Sequence, residues 1–428
     1  MDIVMNNVTD KLFILFHFFR TKCRRFNTRT QLLSWQEKQI KRHLKWVCAH
    51  SEYYADYKNK PLSDFPVMNK SIMMKEFNAL NTKGLDKDTL FELALKAEEN
   101  RQFDQSVIND ITVGLSTGTS GQRGLFLASN NERVTWTGSI FAKLLPNIKD
   151  SHRIALLLRA DSPLYQTAGK GRIQFHYVDI TLPINEWLPA LVEFNPTLMV
   201  GSAQALHLCA QHPKELTPTT IISGAEVLTE KDRAFIEHAF NQPVKEIYQC
   251  TEGFLACSDA DNIMRWNEDA IHIEHHWLNE EKTHFSPIIT DFRRKTQPII
   301  RYLLDDIIEV GHEKGGFESI KSISGRCGDM LHLNEPLEKG RVPVVILPDL
   351  IYRTISYVHE QLIDYRVLQI AANTLVIETD YYFTEIEANL KKLFVQQGVN
   401  NTLFIHQPAP KWHLNTKRRR VVNQFTAA

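Results

Sequence analysis

The sequence has no excess charge of either sign, no paired cysteines and no long apolar run, and each absence removes a class of function. Fifty Lys and Arg stand against fifty Asp and Glu, a formal net charge of +0. No global field therefore draws the chain to nucleic acid or to an anionic membrane, and any polyanion has to be bound locally. The six cysteines (Cys23, Cys48, Cys209, Cys250, Cys257, Cys327) are scattered with no C-x-x-C pair. That is the usage of a reducing compartment, so a cytoplasmic location is expected. The longest apolar run, Leu12 to Phe19, is interrupted by His17 and falls far short of the roughly 20 residues a membrane span needs. Asp2, Asp10 and Lys11 before it and Arg20, Lys22, Arg24 and Arg25 after it do not fit a signal peptide. It reads as a helix packed against the protein itself, with a peripheral membrane or partner contact as the alternative.

What is present is a large apolar fraction, 43% of 428 residues, enough for two or three domains at about 150 residues each. From Gln31 to about Leu95 apolar residues recur at helical spacing (Ile40, Leu44, Val47), with Ser63 and Asp64 as capping candidates. From about Thr112 the texture changes to short apolar runs bounded by Gly, Pro, Asn and Asp, such as Ile154 to Leu158, Thr220 to Ile222 and Ile288 to Thr290, with helix-length stretches between them. This is the alternation of an α/β sheet. Beyond Gly325 come strand-like segments at Val344, Arg366, Thr374 and Leu403 and one amphipathic helix near Glu385 to Gln397. The expected organisation is a large α/β domain over 1–325, its first 110 residues mainly a helical extension, and a small α+β domain over 326–428.

The most informative segment is Ser116-Thr117-Gly118-Thr119-Ser120-Gly121-Gln122-Arg123-Gly124, directly after the β-prone run Ile111 to Leu115. Glycines interleaved with hydroxyl residues let the backbone approach a polyphosphate and offer it N–H groups and hydroxyls. No Gly-Lys-Ser/Thr closes the segment, so it is not a Walker A loop, and it lacks the G-x-G-x-x-G spacing of a dinucleotide fold. Downstream lie Ser223-Gly224-Ala225-Glu226, Tyr248-Gln249-Cys250-Thr251-Glu252-Gly253, Thr290-Asp291, Arg301 to Asp306, Gly325-Arg326-Cys327-Gly328-Asp329 and Lys417.

In this order and at these intervals the motifs resemble the adenylate-forming superfamily of acyl and aryl CoA ligases. Within it the chain is most similar to the phenylacetate-CoA ligase branch and its relatives among coenzyme F synthetases and capsule-cluster adenylating proteins. The resemblance implies ATP-dependent activation of a carboxylic acid to an acyl adenylate, then transfer to a thiol of CoA or of the phosphopantetheine arm of an acyl carrier protein. It implies that Ser116 and the loop Thr117, Gly118, Thr119, Ser120 and Gly121 hold the β- and γ-phosphates. Gly224, Ala225 and Glu226 would border the adenine, with Tyr248 stacking near it. Thr251 would touch the α-phosphate, Glu252 would bind Mg2+, Asp306 would accept from the ribose hydroxyls, and Arg326 would add a ribose or phosphate contact. Lys417 would be the mobile lysine of a small lid domain that turns about a hinge at Asp329, with Arg418 and Arg419 as competing candidates. The loop continues Gln122-Arg123-Gly124 where many members carry Lys-Pro-Lys, leaving Arg123 to supply the charge.

The charge logic agrees with those roles. A carboxylate attacking an α-phosphate brings two anions together, so the site has to supply a cation where charge develops, and Glu252 is a hard oxygen ligand suited to Mg2+. The implied acid pocket includes Tyr165, Phe175 and Tyr177, which suits an aromatic acid. Other readings stay open at this point: a degenerate adenylating domain kept as a nucleotide-binding scaffold, transfer of the adenylate to an amine, a basic tail at Lys417 to Arg420 that is merely solvated, and a structural zinc. Cys250, Cys257, His272, His275 and His276 are the ligand candidates for that zinc, at spacings that match no common zinc pattern. A monomer or a homodimer is equally compatible with the composition.

Overall fold

In the strand His152–Leu158 the run from Ile154 on is aliphatic on both faces, which is what a strand covered on both sides of a parallel sheet requires. That strand lies beside the edge strand Ile173–Asp179 of a seven-stranded sheet in the computed structural model, which describes residues 8–116, 123–159, 172–312, 316–334, 344–359, 362, 364–412 and 418–425. The sheet runs in the order Met264–Trp266, Gly253–Ser258, Val244–Cys250, Thr220–Ser223, Leu198–Gly201, His152–Leu158, Ile173–Asp179. The last five are parallel, in registers such as Ile154 opposite Leu198 and Leu198 opposite Thr220, and the first two are added antiparallel.

The chain divides into two compact units. One comprises Met1–His276, Pro287–Leu304 and Val310–Lys321, the other Trp277–Ser286, Asp305–Glu309 and Ser322–Ala428. The division placed after residue 325 by the sequence pattern thus falls inside the strand Ile320–Arg326. Two earlier segments join the second unit: they pair with each other, His284 opposite Glu309 and Phe285 opposite Ile308, and Asp306–Val310 lies next to Ile320–Arg326 in the same sheet.

In the first unit the helix Asn130–Leu144 lays Val134, Ile140, Phe141 and Leu144 on Ile154, Leu156, Leu198 and Ile222 of the sheet. Its start is fixed by a capping box in which Ser129 and Glu132 satisfy each other's end of the first turn. The helices Val8–Cys23, Arg29–Val47, Lys70–Lys75, Phe77–Leu80 and Lys87–Glu99 make the N-terminal region helical. Val8–Cys23 packs directly on Asn130–Leu144 at Gly138, where a Cβ would stand 2.6 Å from the Ile14 carbonyl oxygen. Glycine is required there by close approach alone. The capping candidates Ser63 and Asp64 do not start a helix. They form a single 3-10 turn, Leu62–Asp64, and the caps nearby are Asn69 and Asp86, whose side chains accept the Ile72 and Thr89 amides. A three-stranded antiparallel sheet, Val107–Ile108, Ile111–Leu115 and Leu125–Ser129, packs Val113 and Leu127 on Leu90 and Ala94 of Lys87–Glu99.

The second unit is α+β. Its four-stranded sheet runs Leu403–Gln407, Thr374–Glu378, Arg366–Ala371, Val421–Asn423. The helices Pro348–Ser356 and Phe383–Gln396 bury Ile351, Ile355, Ile386, Leu390 and Phe394 in one core with Val367, Leu375 and Ile377. The strands and the helix expected from the sequence of this segment are all present.

Candidate active site

In open α/β sheets ligands bind beyond the carboxyl ends of the strands, and two of the sequence motifs sit at that edge. The strand Thr220–Ser223 ends in Gly224, whose amide donates to the Gly201 carbonyl at 2.9 Å. A Cβ at Gly224 would lie 2.7 Å from Ile247, so only glycine fits. Ala225 follows with φ +67, a left-handed conformation that costs a non-glycine residue of order 1 kcal/mol or more and persists when its surroundings fix it. The Glu226 side chain is 5% exposed and ion-paired with Arg159, which follows the next strand but one, His152–Leu158. The Ser223 hydroxyl is buried and has no hydrogen-bond partner among the described residues. That orphaned group, beside a glycine fixed by close approach and an alanine held left-handed, suits a polar ligand at this edge.

The next strand, Val244–Cys250, turns back through Thr251 and Glu252 into Gly253–Ser258. The Thr251 hydroxyl donates to Glu252 Oε2 at 2.9 Å, so a hydroxyl and a carboxylate share one turn. The turn is pinned from behind. Arg294 donates to the Thr251 carbonyl and to the Leu127 carbonyl, each at 3.0 Å. Asp291, 2% exposed, would meet a Cβ at Gly253 at 3.2 Å and accepts the Arg293 amide at 2.8 Å. Glu132 closes the arrangement by accepting the amides of Ser129, Lys295 and Thr296. Burial would raise the Glu132 carboxyl, but the Arg294 charge and the hydrogen bonds from Thr296 and Ser129 outweigh it and hold it below the usual carboxylate range.

Two cavities meet at this edge. One, of about 310 Å³, is lined by Gln249, Cys250, Thr251, Gly253 and Arg294 on one side and by Gly114, Leu115, Phe126 and Arg133 on another. The other, of about 170 Å³, lies between Asn130–Leu144 and the sheet and is lined almost wholly by apolar side chains, among them Phe141, Phe175, Ile154, Leu198 and Ile222, with Gly224 and Ala225 at its end. Trp136 and Gln249 line both. The side chains of Ile247 and Gln249 face the apolar cavity. Tyr248, between them, is buried with its ring 5.9 Å from that of Trp266.

Of the Gly-rich loop, Thr117, Gly118, Thr119, Ser120 and Gly121 lie outside the described residues. Its two ends are tied together: the Ser116 amide donates to the Gly124 carbonyl and the Gly124 amide to the Ser116 hydroxyl, both at 2.8 Å. Arg123 is bonded bidentately to Glu98 at 2.6 and 2.7 Å and donates to the Ser116 carbonyl. The charge expected to replace the family's lysine is therefore neutralised by a carboxylate.

The remaining motifs belong to the second unit. Arg326 Nε lies 3.5 Å from Asp306 Oδ1, so the two residues expected at the ribose form an ion pair. Asp329 is buried and paired with Arg419. A Cβ at Gly328 would meet nothing within 4 Å. Lys417 lies outside the described residues. The basic cluster after it is no solvated tail: Arg419 holds Asp329, and Arg420, 8% exposed, stacks over Tyr365.

The zinc candidates are dispersed among other partners. Cys257 Sγ lies 3.6 Å from Asn267 Oδ1, His272 is bonded to Gln36, and His275 to Glu318. Of the three aromatic wall candidates, Phe175 lines the apolar cavity, Tyr177 takes a hydrogen bond from Arg101, and Tyr165 lies outside the described residues. Sequence reasoning missed Trp136, Phe141, Glu132 and Arg294. The two aromatics lie on the core face of a helix, where a cavity wall and ordinary packing leave the same pattern. Arg294 and Glu132 act through contacts 43 and 163 residues away in sequence.

Comparison with known proteins gives the fold. No family model matches the chain. Protein CapK of Staphylococcus aureus is 26% identical over 205 residues, 45% of this chain and 43% of the relative, so the match spans less than half of that protein's length. A crystal structure of 2-hydroxyisobutyryl-CoA ligase in the postadenylation state with 2-HIB-AMP matches with a TM-score of 0.62 at 14% identity, covering 94% of this chain and 91% of that one. An open conformation of the same ligase with 2-HIB-AMP and CoA matches with a TM-score of 0.56 at 14% identity, covering 90% of each chain. With an α/β first unit, a small α+β second unit and likeness over nearly its whole length, the chain has the fold of an adenylate-forming acid-CoA ligase.

Proposed function

We propose that the protein activates a carboxylic acid with ATP as an acyl adenylate, that the acid is aromatic, and that it stands with the phenylacetate-CoA ligase-like branch of the fold. The observation that supports this most is the apolar cavity beside Gly224 and Ala225. At about 170 Å³ it is close in size to the roughly 150 Å³ apolar cavity that holds a benzene ring. A long acyl chain exceeds it, and a small hydroxylated acid leaves apolar walls unfilled.

In this reading the acid's ring lies against Phe141 and Phe175, and its carboxylate faces the neighbouring cavity where Thr251 stands. Thr251 donates to the α-phosphate, Gly224, Ala225, Glu226 and Tyr248 border the base, Asp306 takes the ribose hydroxyls, and Arg326 adds a ribose or phosphate contact. Ser116 opens the loop that receives the outer phosphates. The Glu252 carboxylate is a hard oxygen donor of the kind a Mg2+ site combines with substrate phosphates. When bound, Mg2+ would neutralise charge on the phosphates during displacement of pyrophosphate. Lys417 is the proposed cation between carboxylate and α-phosphate, Asp329 the hinge, and a thiol of CoA or of a carrier protein the acceptor.

A second reading has one observation in its favour. The Glu98–Arg123 pair removes a positive charge from the phosphate loop, as a nucleotide-binding scaffold without turnover would tolerate. Pyrophosphate exchange into ATP, run over aromatic, hydroxyaromatic and aliphatic acids, separates the two. Exchange driven by a single-ring aromatic acid and lost in Glu252→Gln supports the enzyme. ATP binding with no exchange for any acid supports the scaffold.

A further inference from the structure

The helix Val8–Cys23 has two apolar faces, and the fold uses one. Ile14 and Phe18 are 7% and 4% exposed against Asn130–Leu144, at the spot where Gly138 lets the helices touch. On the opposite side Leu12, Phe16 and Phe19 are 61%, 57% and 55% exposed, with Leu15 beside them at 40%. At 3.6 residues per turn positions 12, 16 and 19 fall on one line, so these side chains form a continuous stripe and not scattered exposures.

Charge flanks the stripe on both sides. Lys11 stands next to Leu15 and Arg20 on the other edge beside Phe16, while Lys22, at the azimuth of Lys11, turns its ammonium to the Ala142 carbonyl at 3.1 Å on the packed side. Arg25 is exposed just past the helix end. The acidic residue of the segment is turned away: Asp10 accepts from Asn130 at 3.1 Å on the packed side. An apolar stripe bordered by cations, on a 16-residue helix, is the layout of a helix lying in the plane of a membrane interface. The cations sit at the depth of the headgroups and the rings at the acyl boundary. A protein partner would need a matching apolar groove, whereas an anionic bilayer satisfies stripe and flanks together.

We infer that the exposed face of Val8–Cys23 docks the protein on an anionic lipid surface, without spanning it. Among the described residues no helix is long and apolar enough to cross a membrane. The inference is independent of the acid that the site activates. It also gives a use to an apolar run that the neutral net charge of the chain would not suggest.

The test is flotation of the full-length protein with phosphatidylcholine vesicles, with and without phosphatidylglycerol. Binding is expected only to the vesicles that contain phosphatidylglycerol, and it should weaken with added salt. The variant Leu12→Gln/Phe16→Gln/Phe19→Gln should lower partitioning by about a hundredfold or more, since each side chain gives up part of a burial worth tenfold or more. Lys11→Gln/Arg20→Gln should lower it by about thirtyfold, and Tyr381→Ser, an exposed ring in the second unit, should leave it unchanged. All these residues are exposed, so circular dichroism should show unaltered folding. Absence of binding to either vesicle overturns the inference. So does concentration-dependent self-association in sedimentation equilibrium that Phe16→Gln abolishes while vesicle binding is absent, because the stripe is then an interface between copies. Equal binding to both vesicles overturns the role given to the cations.

Discussion

Arg294 is the residue whose loss the structure prices most directly. Its guanidinium donates to the carbonyls of Thr251 and Leu127, and hydrogen bonds from a charged donor contribute about 1.5–3 kcal/mol each. Arg294→Ala should therefore cost about 3–6 kcal/mol, a large part of the roughly 5–15 kcal/mol that holds a domain folded. It also leaves the Glu132 carboxylate buried without the charge that keeps it ionised. Replacing that carboxylate as well, in Arg294→Ala/Glu132→Gln, should recover about 1–3 kcal/mol of what the single change loses. The assay is urea unfolding followed by tryptophan fluorescence, with pyrophosphate exchange measured on the same preparations below the transition. Exchange should fall by about a hundredfold in Arg294→Ala, because the Thr251–Glu252 turn loses its backing and a shift of about 1 Å is enough for that. A single variant within about 0.5 kcal/mol of the parent, or a double variant no more stable than the single, would refute the reasoning.

Other expectations follow from the same structure. Burial pushes the Glu268 carboxyl up to about 7 in spite of Arg29 beside it, so the folded state holds a proton that the unfolded chain releases between about pH 4.5 and pH 7. Stability should fall as pH rises through that window by up to roughly 3 kcal/mol, and Glu268→Gln should flatten the slope in thermal melts taken across it. Arg419→Gln leaves Asp329 buried without its partner. The cost should be about 1–3 kcal/mol, reduced because Arg419 is partly solvated, and cleavage near residue 329 should speed up in limited proteolysis. Gly138→Val drives a side chain into the Ile14 backbone; amide exchange in Val8–Cys23 should rise at least tenfold while the sheet keeps its protection.

Much of this architecture is legible in the sequence, and the reason differs from element to element. Strands such as His152–Leu158 and Thr220–Ser223 are covered on both faces, so they read as unbroken apolar runs between turn residues. The motif turns are legible because close approach leaves little choice: Gly224 faces Ile247, and no other residue fits. Glu132 and Arg294 look like ordinary charged residues because their meaning lies in partners far along the chain. Arg419 reads as one of four basic residues in a tail, and only the fold shows that it holds Asp329. The boundary between the units was also hidden, since the pairing of 284–285 with 308–309 moves two short segments that carry no compositional mark.

Gln249 brings these strands of argument to one position. It precedes Cys250 and the Thr251–Glu252 pair, at an irregular point in the pairing of Val244–Cys250 with Gly253–Ser258. Its side chain lines both the apolar cavity and the one that contains Thr251. A side chain there shortens the path between ring and carboxylate, so the acid should carry its carboxyl close to the ring. Gln249→Gly should join the two cavities and admit acids with a longer spacer, raising kcat/KM for arylalkanoic over single-ring carboxylic acids by about tenfold, the scale at which a methylene or two is sorted by an apolar pocket. The comparison is made by pyrophosphate exchange across a series that differs only in spacer length. If the ranking of acids is the same in parent and variant, Gln249 does not divide the site, and the carboxylate reaches Thr251 by another route.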